Sequence, residues 1–154
     1  MYPRLGLSGS RRLVAGRYGS LINFIFRMYD DFQVTDRWTK KPLHCVYQAL
    51  IAAISTRHAD AIDVKFLCDG RPVWIAMPHT AWVEYEKQTG KTLTDQMTVQ
   101  AAGHYLKTAI EEGLDTSREM HALDATEVLR HVKAVLEEAG APADYIPRVA
   151  EPAA

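Results

Sequence analysis

Three side chains near the middle of the chain, His79, Trp82 and Glu84, have types and spacing suited to acid–base chemistry or small-ligand capture. An imidazole titrates near neutral pH, a carboxylate can orient it, and an indole offers a flat apolar wall. They follow Pro78, where a strand hands the chain to a helix whose first amides favour anions. A plainer use competes: Trp82 and Tyr85 pack the helix onto a sheet while His79 caps it or meets water. The plainer use carries more weight, because no nucleophile accompanies the histidine. Cys68 flanks a turn at the far end of a hairpin, about 20 Å from His79 at ~3.3 Å per residue. Cys45 and His44, neighbours on a helix, would diverge by about 100°. No catalytic residue is assigned, and the chain reads more readily as a non-enzyme.

Metal chemistry finds no better footing. The six histidines form no HxxxH or HExxH pattern and the two cysteines no CxxC, so zinc-type spacing is absent. The loose set Glu119, His121 and Asp124 is more simply a connector in which Asp124 caps the next helix. His104 lies about 200° from Ala102 on a helical wheel, and His131 faces away from the Val132 stripe, so both are expected on the surface. The glycines and arginines of LGLSGSRR and GRYGS do not sit between a strand and a helix, as a phosphate cradle requires. No metal and no cofactor is expected.

The elements that would position these groups can be read in part. Asp69-Gly70 suits a type I′ turn, since both residues need positive φ. A two-residue loop sets Cys68 opposite Arg71 and pairs Phe66 with Val73, Val64 with Ile75, and Ile62 with Met77 on one face. That face is the expected core, and a slip of one residue would expose all of it. Lys65 and Trp74 then pair on the opposite face. Either a second layer hides them or they stand open on a strand edge, where they would form an interaction surface.

Alternation from Phe32 to Trp38 predicts a short strand broken by Asp36. Leu43, Val46, Tyr47, Leu50, Ile51 and Ile54 recur at helical spacing, predicting a helix from Pro42 to about His58. Further helices are expected from about His79 or Thr80 to Thr89, from a Thr94 cap to Gly113, and from an Asp124–Glu127 capping box to Gly140. Residues 117–123 fit a strand or a loop equally well. The run Ala101-Ala102-Gly103 would permit close helix approach, including approach by a second copy.

A chain of 154 residues with 47% hydrophobic and 24% charged side chains suits one self-sufficient globular domain. No apolar run reaches the ~20 residues of a membrane span, and two cysteines without a framework suit a reducing compartment. Residues 1–28 hold five arginines and no acid, leaving 13 basic and 19 acidic side chains in the remainder. That basic segment reads as a dispensable leader, with translation starting at Met28 as one version; targeting or nucleic-acid contact are the others. With Arg37, Lys40 and Lys41 it makes a conceivable nucleic-acid footprint, but the acidic body and the lack of a basic recognition helix argue against one.

The expectation is therefore an α+β domain over 29–140: a small antiparallel sheet built on the 62–77 hairpin and covered by three to four amphipathic helices. The proline-bearing tail 141–154 is expected to be flexible. Functionally the sequence favours a non-catalytic cytoplasmic accessory or interaction module, with a homodimer as its foremost partner. A ligand site at His79, Trp82 and Glu84 and a nucleic-acid regulator using the basic arm stand as alternatives, with no membrane partner.

Overall fold

Asp69 and Gly70 take φ values of 50° and 85°, so the tight turn forms with both residues left-handed. The register that follows is the expected one throughout: Cys68 opposite Arg71, Phe66 opposite Val73, Val64 opposite Ile75, Ile62 opposite Met77 and Lys65 opposite Trp74. The computed structural model describes residues 27–53, 61–114 and 118–150. Among these, five strands form one sheet in chain order: β1 (Asp31–Thr35), β2 (Pro42–Ala53), β3 (Ala61–Cys68), β4 (Arg71–Pro78) and β5 (Met120–Ala122). Three helices accompany it: α1 (Thr80–Thr89), α2 (Asp95–Glu112) and α3 (Ala125–Glu138). The architecture is α+β. Residues 1–26 of the expected leader, the end of the helix expected to reach His58, and the last four residues, 151–154, lie outside the described residues.

The largest departure from expectation is residues 42–53, which form β2 and not a helix. The ladder to β3 explains the misleading period. Cys45 faces Cys68 and Tyr47 faces Phe66, but the register then shifts between Tyr47 and Ala49, so that Leu50 faces Val64. One extra residue at Gln48 is a β-bulge, and it changes which side chains point inward. Leu43, Tyr47 and Leu50 all reach the core, at offsets of four and three that imitate a helix stripe. Val46 and Ile51, assigned to the same stripe, face the other way, and Ile51 is 48% exposed.

β1 ends at Thr35, and Asp36 turns the chain by accepting from the amides of Trp38 and Thr39 at 2.8 Å each. Trp38 therefore stands in the β1–β2 connection together with Arg37, Lys40 and Lys41, and these basic residues mark a turn and not a helix start. The sheet is also mixed, because β5 pairs parallel to β4 after the α1–α2 crossover.

The core joins one face of the sheet to the three helices. Phe32, Val34, Cys45, Val64, Phe66, Cys68, Val73, Ile75 and Met77 alternate inward along their strands. Helical residues Ala81, Tyr85, Ala102, Leu106, Ile110, Val128, Val132 and Leu136 meet them in one cluster. The caps are those expected: Thr94 accepts from Met97 at 3.1 Å, and Asp124 and Glu127 complete a reciprocal capping box. Gly103 has a specific reason to be glycine. A β-carbon there would lie 2.5 Å from both the β-carbon and the carbonyl oxygen of Tyr29. The small-residue run 101–103 thus serves internal packing: Ala101, Ala102 and Gly103 are all buried.

Residues 141–150, expected to be flexible, run back over α1. The Tyr85 hydroxyl donates to the Tyr145 carbonyl at 2.6 Å, and Gln88 accepts from the Arg148 amide at 2.7 Å while donating to its carbonyl at 3.1 Å. Tyr145, Ile146 and Val149 pack on the core, and Lys91 lies 4.6 Å over the Tyr145 ring. Burial pushes the Tyr85 pKa up to about 12. Tyr85→Phe is expected to cost about 1 kcal/mol and to speed amide hydrogen exchange across 143–149. Unchanged exchange there would mean that packing alone holds the segment.

Candidate functional site

Because side chains alternate along a strand, the second face of the sheet is fixed by the same register that builds the core. Across the middle of that face run Ala49, Lys65, Trp74 and Met120 from β2 to β5. Flanking rows hold Val46, Leu67 and Pro72 on one side, and Ile51, Asp63, Ala76 and Ala122 on the other. None of the apolar members belongs to the core cluster of the described residues. Lys65 and Trp74 are brought together as the hairpin register requires, with the ammonium 5.5 Å from the indole centroid. This is cation–π distance, and the lysine stem also shields part of the ring from water. Trp74 is half-buried, whereas Met120 remains 45% exposed.

The open-edge version of this surface does not hold. The Trp74 amide donates to the Glu119 carbonyl at 2.7 Å and β5 pairs along residues 74–76, so the outer edge of β4 is occupied at Trp74. Pro72 precedes that short ladder, which is why its missing N–H is tolerated. What the hairpin presents is a face and not an edge.

The cleft residues are only partly gathered. His79 precedes α1 with no side-chain cap bond, and its ring lies parallel to Trp82 at 7° and 6.5 Å. Glu84 is about 140° around the helix from His79 and turns elsewhere. It accepts from Gln88 at 2.9 Å and, with Thr80, Gln88, Thr126, Leu129 and Arg148, lines a groove of about 360 Å³ between α1, α3 and the returning tail. His79 and Trp82 are not among the residues lining it. The proposed triad is thus a pair and a separate carboxylate.

The histidines assigned to the surface make a cluster instead. His104 of α2 and His131 of α3 are half-buried with their Nδ1 atoms 2.7 Å apart, so one ring donates and the other accepts. The edge of Tyr29 meets His104 at 5.3 Å, and its hydroxyl donates to Glu138 at 2.8 Å. On the other side Tyr105 lies edge-on to His131 at 5.5 Å and shares a hydrogen bond of 3.1 Å with Nδ1 of the buried His121. Burial, with the second imidazole and Arg130 adding to it, depresses the His131 pKa to about 4. Burial also lowers the His104 pKa, against the opposing pull of Glu138. A wheel drawn for α2 alone cannot reveal that α3 lies against its polar side.

The loose metal set is likewise dispersed into other roles. His121 serves Tyr105, Asp124 caps α3, and Glu119 offers its carbonyl to Trp74. Among the described residues no three histidine, cysteine or acidic side chains converge as ligands, and no helix is long and apolar enough to cross a membrane. Compared with known protein families, curated proteins and solved structures, the chain matches none.

Proposed function

We propose that this chain is a non-catalytic cytoplasmic accessory module that acts by pairing with a second copy of itself through the outer face of the sheet. The observation that carries the reading is the stripe of Val46, Leu67, Pro72, Trp74, Ile51 and Met120 on a face whose apolar members lie outside the core cluster. A tryptophan flanked by aliphatic groups and one lysine has the composition of an interface centre. Charge favours a copy of the same face as the occupant. Asp63 and Lys65 lie two residues apart on β3, so a two-fold axis passing near Val64 would set the lysine of each copy near the aspartate of the other. Asp63 and Asp31 on this face also oppose a nucleic-acid backbone there.

Trp74→Glu is the direct test. A carboxylate at the centre of the stripe is expected to weaken self-association at least ~30-fold, the size of a hot-spot loss, while the hairpin still folds. Sedimentation at matched concentrations reads the change. An unaltered association constant in a folded variant would reject the face.

A second reading, a small-molecule site, is favoured by the groove of about 360 Å³ that holds Glu84, Gln88 and Arg148. In a thermal-shift screen, a compound that stabilises the parent but not Glu84→Ala would support it. Equal stabilisation of both would place the compound elsewhere.

A further inference from the structure

The two cysteines, 23 residues apart in sequence, stand directly across from each other on β2 and β3 with their sulfurs 3.1 Å apart. Both are buried thiols. The Asp69 amide donates to the His44 carbonyl at 2.9 Å, which makes His44 and Asp69 a hydrogen-bonded site of the ladder. Cys45 and Cys68 therefore fill the adjacent non-hydrogen-bonded site, where facing side chains approach most closely and Cα atoms are about 4.5 Å apart. That spacing falls within the ~4.4–6.8 Å range of disulfides, and the sulfurs need to close by only about 1 Å.

We propose that Cys45 and Cys68 are a peroxide-responsive pair that closes to an intramolecular disulfide, fastening β2 to β3. Cys68 is the attacking residue. It sits beside the turn with 3% residual exposure, whereas Cys45 has none. The Cys68 thiolate attacks one peroxide oxygen, the O–O bond breaks, and the product is a sulfenic acid with hydroxide leaving. The Cys45 sulfur then attacks the Cys68 sulfur, the S–O bond breaks, and water departs with the thiol proton. Two thiols are oxidised by two electrons, and one peroxide is reduced to two waters.

The experiment treats the full native chain with hydrogen peroxide, then denatures it in the presence of N-ethylmaleimide and reads the cysteine peptides by mass. The expected product is a linked peptide pair about 2 Da lighter than the two reduced peptides together, carrying no maleimide and restored by a thiol reductant. Cys45→Ser should abolish that pair and leave Cys68 with oxygen adducts in steps of about 16 Da. Maleimide on both cysteines after peroxide, separate oxygen adducts on each in the parent protein, or a link between two copies would each overturn the proposal.

Discussion

Phe66→Ala is expected to remove about 3–5 kcal/mol of stability, a large share of the roughly 5–15 kcal/mol that holds a domain together. The ring is fully buried at the centre of β3 and meets Phe32 at 6.1 Å and Tyr47 at 6.2 Å, both edge-on. It also lies under α2 at Gly103, where an added β-carbon would come within 3.3 Å of its tip. The upper part of the range applies because the cavity has little means of closing. Gly103 has no side chain to move into it, and the helix backbone is held off by Tyr29, whose amide donates to the buried Gln100 at 2.7 Å. Urea unfolding of parent and variant measures the difference. A loss under about 1 kcal/mol would mean that the sheet and α2 are not keyed together at Phe66.

Acid is expected to act through the histidine pair. In the unfolded chain His131 titrates near ~6.5, whereas in the fold burial holds it down to about 4. Above the unfolded value both states are neutral and the group contributes nothing to stability. As the pH falls from about 6.5 toward 4, the unfolded chain takes up a proton that the folded chain refuses, so stability declines through that window and levels off below it. For His131 the loss is about 2 kcal/mol by pH 5 and about 3 kcal/mol by pH 4. His104 adds in the same direction. A second proton between the rings would also set two donors face to face at 2.7 Å. Unfolding free energies at pH 7.5 and 5 should therefore fall more steeply for the parent than for His131→Gln. Equal slopes would place the acid sensitivity elsewhere.

Features written in short stretches of sequence were legible, and features made by distant residues were not. The Asp69-Gly70 turn carries the whole β3–β4 register, because two positive-φ residues leave only one way to pair what flanks them. The starts of α2 and α3 were equally plain, since a cap and its amide partner lie three residues apart. The β2 strand was hidden by its bulge, where one extra residue at Gln48 turned a period of two into apparent helical spacing. Lys65 and Trp74 were placed on the outer face correctly, but the edge beyond them was not open, because β5 pairs with Trp74 through Met120, 46 residues later in the chain. His104 and His131 belong to different helices, and Cys45 and Cys68 to different strands. Neither pair has a local pattern, so only the tertiary packing brings them together.

The outer face is the centre of this account, and the mass of the native protein in solution tests it most directly. Sedimentation of the full chain over a wide dilution series at neutral pH should give twice the 17.3 kDa of one chain at the concentrated end, falling toward 17.3 kDa on dilution. A mass of 17.3 kDa at every concentration would contradict pairing through Trp74 and its neighbours.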